Sequence, residues 1–278
     1  GDVGEAAVNS LRFSTDGSRI LTAGMDGAVR EWSRDGRLLR VVAEGLPKAW
    51  SAVFSPDERS IAAGLYDGTL RIWREGRAEA IVVNPPGMNR VPCVAFSPDG
   101  SRLIATGTGA QPIVVDAVTG AILATLDGHT EAARAAAWSP DGRTIATGCD
   151  DRKIRFWSAE TFALQRTIAG LPWGPFQLRF HASGDVLFAI GRGGELLVFD
   201  PHGAKELARF PIFDRLAFDM AFSSDGGCLF VTGQGDFVGV LDFERLAAPI
   251  RANADWWRRV LASDATEGHR ASSGSPGP

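Results

Sequence analysis

Six aromatic residues, Phe13, Phe54, Phe96, Trp138, Phe180 and Phe222, are spaced by 41 and then four times by 42 residues. Each opens a related twenty-residue pattern: a polar turn, an apolar run ending in small residues, a second turn, and a run of alternating character. The copies begin FSTDGSRILTAG at 13, FSPDERSIAAGL at 54, FSPDGSRLIATG at 96, WSPDGRTIATGC at 138, FHASGDVLFAIG at 180 and FSSDGGCLFVTG at 222. A constant period is a severe constraint, because each unit must pack on the next in the same way. A period of about 40–45 residues holding several short strands is that of a four-stranded sheet repeated around an axis.

The clearest copy, Gly128 to Trp157, carries Gly128-His129, Trp138-Ser-Pro-Asp-Gly142, Thr147-Gly148, Asp151 and Trp157. It resembles a WD40 repeat, and weaker copies extend the resemblance over residues 8–243. The resemblance implies an all-β, WD40-type β-propeller with six four-stranded blades starting near 8, 49, 91, 133, 175 and 217. The propeller is expected over 1–253, a short helical segment around Trp256-Trp257 over 254–263, and a disordered Gly/Ser/Pro-rich tail over 264–278. Rings of this family most often have seven blades, which implies a longer parent with a blade or more upstream. The opening Gly-Asp-Val in place of Met agrees with that expectation.

Blade four shows the expected strand plan, with strand a at 134–138, b at 144–148, c at 153–157 and d at 163–168. In its a–b turn Pro140 presets φ and Gly142 takes the left-handed position. Glu58 stands where the other blades have Gly17, Gly100, Gly142, Gly184 and Gly226, so that turn is expected to be strained or differently shaped. Asp26-Gly27 and Asp67-Gly68 are dipeptides favoured in two-residue hairpins. Strand d is more polar than strand c, which suits an outer edge, and the last blade's outer strand is expected near 248–252.

Several function classes are disfavoured. A net charge of −4 and a pI near 5.6 argue against nucleic acid as the main partner. No apolar run reaches the ~20 residues of a membrane span. Cys93, Cys149 and Cys228 fall in strands of three different blades without C-x-x-C spacing, and read as reduced thiols of a cytoplasmic protein. No nucleophile elbow, HExxH motif, phosphate loop or repeated metal-ligand pattern occurs. The histidines other than His129 share no equivalent position, so catalytic residues, metal ligands and cofactors are all expected to be absent.

The resemblance also implies site residues. In the family a buried network joins a His, a Ser/Thr of strand b, the Asp of the b–c turn and the strand c Trp, which here are His129, Thr147, Asp151 and Trp157. Family members bind partners on the top face, where strand a begins and the b–c turn lies. The matching positions give Met25, Trp50, Tyr66, Arg90, Arg134, Phe176, Arg192 and Phe218, with Lys48 and Trp173 nearby. Aromatic residues and arginine are the types enriched at protein-binding hot spots. The expected function is a non-catalytic interaction scaffold or sensor module for a peptide or protein, fused in its parent to an effector domain. The alternative is a propeller enzyme or small-molecule sensor acting at the mouth of the central channel.

Overall fold

A computed structural model describes residues 7–223, 227–235 and 238–242. They form six antiparallel sheets in chain order. The first holds β1 (Val8–Phe13), β2 (Arg19–Gly24), β3 (Val29–Ser33) and β4 (Leu38–Ala43), and the second β5 (Ala49–Phe54), β6 (Ser60–Leu65), β7 (Leu70–Arg74) and β8 (Ile81–Val83). The third holds β9 (Val94–Phe96), β10 (Arg102–Ala105), β11 (Ile113–Asp116) and β12 (Ile122–Thr125). The fourth holds β13 (Ala133–Trp138), β14 (Thr144–Cys149), β15 (Lys153–Ser158) and β16 (Leu164–Ile168). The fifth holds β17 (Pro175–Phe180), β18 (Leu187–Gly191), β19 (Glu195–Asp200) and β20 (Lys205–Pro211). In the sixth, three strands are described: β21 (Ala217–Phe222), β22 (Cys228–Gly233) and β23 (Val238–Asp242). The architecture is a six-bladed β-propeller. The expected outer strand near 248–252, the helix at 254–263 and the tail at 264–278 lie outside the described residues, as does Gly226.

The a–b turns repeat one device. Ser14, Ser55, Ser97 and Ser139 each bond the Asp two residues on, at 2.5–2.6 Å, and close the turn through the main chain. The Ser14 hydroxyl, with the Ser18 amide, holds Asp16 down to about 2. Glu58 adopts φ +59°, beside +69° to +79° for Gly17, Gly100, Gly142 and Gly184, so the turn keeps its shape and carries the strain. The Glu58 carboxylate offsets that cost by binding Arg19 and the Thr15 amide of the preceding blade.

Five apolar clusters join blades one to two, two to three, and so on to five and six. Each mates the strand a residue two before the repeat aromatic with the b and c strands of the blade before it. Leu178 at that position is 2% exposed, packed against Ala146, Ile154 and Phe156. On the opposite side of blade five, Phe188 and Val198 are 2% and 1% exposed beneath Met220 of blade six.

The seam between blade six and blade one breaks this rule. Leu11, equivalent to Leu178, is 45% exposed, and Phe230 and Val240, equivalent to Phe188 and Val198, are 40% and 55% exposed. A groove of about 810 Å³ runs between them, lined by Leu11, Phe13, Met220, Phe222 and Phe230. The inner strands are tied by the Arg12–Asp219 ion pair at 2.6 Å.

Leu178→Ala is therefore expected to cost about 2–4 kcal/mol in chemical denaturation, whereas Leu11→Ala costs under about 1 kcal/mol. Equal losses at the two sites would show that the seam is closed in solution.

Candidate functional site

The top rim is built by a backbone irregularity. In blades one, two, four, five and six the a–b register slips by one residue at the start of strand a. The extra residues are Asn9, Trp50, Arg134, Phe176 and Phe218. A bulge leaves its extra residue unpaired and re-aims its side chain. In blade three the corresponding residue, Pro92, precedes β9, which starts only at Val94.

Two clusters occupy this rim. In the first, Trp50 stacks on Tyr66 with centroids 4.8 Å apart, and Arg90 and Lys48 lie 5.1 and 5.9 Å from the Tyr66 ring. Arg90 is placed by an isolated bridge to Thr108, and the Tyr66 amide donates to the Lys48 carbonyl at 2.9 Å. In the second, the guanidiniums of Arg134 and Arg192 lie 5.8 and 5.6 Å from the Phe176 ring. Arg134 Nε also bonds both oxygens of Asp150, at 2.7 and 2.9 Å. Trp50, Tyr66 and Phe176 are half-buried, while Lys48, Arg90 and Arg192 are exposed. Each cluster offers an aromatic face already beside a guanidinium, an arrangement worth about 0.5–1 kcal/mol at exposed sites.

The other rim positions do not join them. Phe218 is exposed and Met25 half-buried, and neither has a recorded ring or ion contact with either cluster among the described residues. Trp173 is buried, lies in the core between blades four and five, and donates from Nε1 to Glu195 at 3.3 Å. A Cβ on Gly193 would sit 2.1 Å from the Trp173 indole nitrogen, so this Trp belongs to loop packing.

Blade four's network is partly as the family pattern implies. Trp157 Nε1 donates to Thr147 Oγ1 at 2.8 Å, and His129 Nε2 lies 2.9 Å from the same hydroxyl. His129 Nδ1 is 3.1 Å from the Leu126 carbonyl. An Nδ1–H tautomer satisfies every group in turn: indole to hydroxyl, hydroxyl to Nε2, and Nδ1–H to carbonyl. Asp151 is a correction. It does not bond His129; its Oδ2 pairs with Arg155 Nη2 at 2.7 Å and accepts weakly from Thr130. Burial works most strongly against the Asp151 charge, but the Arg155 bond and charge, with the Cys149 and Thr130 contacts, together outweigh it and hold the carboxyl below its usual range. Blade one repeats the arrangement without a His, with Trp32 on Thr22 at 2.8 Å and Asp26 on Arg30 at 2.5 Å.

Burial, and then the Arg155 charge, lower His129 from 6.5 to about 4, so it is neutral near pH 7. Because the fold disfavours that proton, stability is full above pH 6.5 and declines as pH falls toward 4. The loss should reach roughly 3 kcal/mol and shrink in His129→Gln, read by denaturant unfolding across the range. Asp151→Ala should cost about 3 kcal/mol by stranding the Arg155 cation, and adding Arg155→Met should recover most of it. No recovery in the double variant would return the effect to His129.

Among the described residues no His/Cys/Asp/Glu group has the arrangement of a metal site, and no helix is long and apolar enough to cross a membrane. The three thiols are unpaired, and burial pushes Cys149 up to about 11. One polar group escaped the sequence reading: Arg12, Gln177, Arg179 and Asp219 meet in the channel, on strands a of blades one, five and six. The signal was available, since Arg12 and Arg179 both stand one residue before the repeat aromatic.

Residues 3–33, 46–74 and 120–158 match the family model described as WD domain, G-beta repeat. Over 203 residues the chain is 26% identical to Protein hir1 of Schizosaccharomyces pombe, a match covering 59% of this chain and 21% of that protein. It is 27% identical over 236 residues to eukaryotic translation initiation factor 3 subunit I of Aspergillus fumigatus, covering 84% and 61%. It is 24% identical over 188 residues to nuclear distribution protein nudF of Emericella nidulans, covering 59% and 42%. The chain thus spans less than two thirds of the length of each of these relatives. A chain in a structure described as Crystal Structure of Mitotic Checkpoint Complex superposes with a TM-score of 0.80 at 20% identity, covering 87% of this chain and 76% of that one. That likeness is one of fold. The chain thus carries WD40 repeats, matched in three of its blades, on a six-bladed β-propeller.

Proposed function

We propose that this propeller is a non-catalytic interaction module that binds a peptide or protein segment on its top rim. The observation that carries the reading is the pair of aromatic–guanidinium clusters at Trp50, Tyr66 and Arg90 and at Arg134, Phe176 and Arg192. Half-buried aromatic rings give an apolar anchor somewhere to seat at little entropic cost, and the arginines favour an acidic neighbour. Met25 and Phe218 extend the same rim at equivalent repeat positions. One relative is named as a subunit of an initiation factor, and a scaffold or sensor role within a longer, multi-domain parent is the form we infer here. Three free thiols fit a reducing, cytoplasmic setting.

Random-peptide display on the immobilised chain is expected to enrich sequences that combine acidic residues with an aromatic or aliphatic anchor. Trp50→Ala or Tyr66→Ala should weaken the selected peptide by about 1–3 kcal/mol and leave Tm nearly unchanged. Selected peptides indifferent to Trp50, Tyr66 and Arg134 together would place binding elsewhere on the molecule.

A further inference from the structure

Inside the channel the charges do not balance. Asp219 stands between two guanidiniums, and both of its oxygens are occupied. Oδ2 accepts from Arg12 Nη1 at 2.6 Å, while Oδ1 accepts from the Gln177 amide and from the Met220 amide at 2.8 Å. Arg179, half-buried on the neighbouring strand, is left without a hydrogen-bond acceptor among the described residues. It lines a cavity of about 460 Å³, whose wall also includes Arg12, Gln177 and Cys93. The other strand a residues at the position of Arg12 and Arg179 are Val53, Ala95, Ala137 and Ala221, which bring no charge to the channel. Two cations therefore face one carboxylate that is already saturated. Burial, and then repulsion by Arg12, hold Arg179 down to about 10, still charged near neutral pH.

We propose that the channel binds a small free oxyanion, of the phosphate or carboxylate type, between Arg179 and Arg12. A guanidinium presents parallel N–H donors that fit two oxygens of such an ion, and charge-assisted bonds of this kind are the strong ones. The cavity walls beyond the arginines are apolar or uncharged, with Val53, Ala95 and Ala137 close by, which suits a compact ion over a long chain. The position has a structural consequence. Arg12 belongs to blade one and Arg179 to blade five, with blade six and the open seam between them. An anion held by both adds a tie to the Arg12–Asp219 pair, across the junction where Leu11, Phe230 and Val240 are exposed. Binding is thereby linked to ring stability, because a ligand that binds only the folded state raises the apparent stability.

The test uses inorganic phosphate against chloride at constant ionic strength. The expected result is a saturable rise in Tm and a calorimetric isotherm of one site per chain, with affinity reduced at least about tenfold in Arg179→Gln. Arg179→Lys, which keeps the charge but not the fork, should retain part of it. General salting-in or salting-out moves all variants alike, so the difference between wild type and Arg179→Gln is the quantity to read. Phosphate should also slow reaction of Cys93 with a small thiol reagent in the wild type and not in Arg179→Gln. Two outcomes overturn the proposal: wild type and Arg179→Gln responding identically, or phosphate binding that survives Arg179→Gln and is lost in Arg90→Gln or Arg192→Gln, which would put the anion on the top rim.

Discussion

The four inner sheets of this array each bury one face against the sheet before and the other against the sheet after, and the two end sheets rest on one neighbour. No single blade could stand alone, since a four-stranded sheet with both faces wet has no core. Small residues make the close approach possible. Ala52, Ala62, Ala63, Ala135 and Ala146 are buried where strands a and b of successive blades meet, and larger side chains fill the spaces outside them. Five such interfaces serve six blades, so stability accumulates along the chain by neighbour contacts and is lowest where the two ends of the array come together. The exposed Leu11 and Phe230 mark that place. Their two faces are the unmatched halves of one interface type, and a single ion pair between inner strands is a weak substitute, since partly exposed pairs contribute little.

The same repeat separates structural from variable positions. At the bottom of the blades the Ser-x-Asp turn is reused, with hydroxyl, carboxylate and amide satisfied locally, and its residues are committed to shape. At the top, the bulge that starts strand a takes one residue out of the ladder in five blades, and there the side chains differ: Asn9, Trp50, Arg134, Phe176 and Phe218. A position that pairs with nothing in the sheet can change without disturbing the fold. Such positions are where binding surfaces vary most cheaply on a rigid scaffold.

Strand limits were legible in the sequence because they follow local signals. In blade four, the expected a and d strands begin within one residue of the observed ones, and the b and c strands end within one residue of theirs. Turn chemistry at Asp26-Gly27 and Pro140-Asp-Gly142 was equally local. What could not be read were choices between partners of similar chemistry. Asp151 pairs with Arg155, a cation four residues on in the adjoining strand, and not with His129, which is neutral near pH 7. Trp173 looked like a rim residue from its position, but Gly191 and Gly193 open a slot that only the folded hairpin reveals. The meeting of Arg12 with Asp219 spans 207 residues and depends on closure of the whole array, which no local pattern encodes. The exposure of Leu11 is likewise a property of the ends, since its sequence context matches that of its buried equivalents.

Net charge and local charge act in opposite directions here, and distance decides between them. The chain carries −4 overall, yet Lys48, Arg90 and Arg192 have no carboxylate within ion-pair distance among the described residues. At physiological salt the screening length is about 8 Å, so an approaching acidic segment feels little of the protein's mean charge until it is close. Arg134 beside Phe176 is paired with Asp150, and the charges beside Tyr66 and Phe176 without an ion pair, those of Lys48, Arg90 and Arg192, are positive. For the proposed acidic partner, attraction would therefore act late, over the final contacts, and contribute to orientation and residence more than to long-range steering. Rings that already lie against guanidiniums lose little freedom when a partner covers them, and the cation–π contact strengthens as water is excluded. A rim that binds as proposed would discriminate by requiring an apolar group and a negative charge at a fixed separation. That separation is set by the sheets beneath, and so by the interblade packing on which the whole molecule rests.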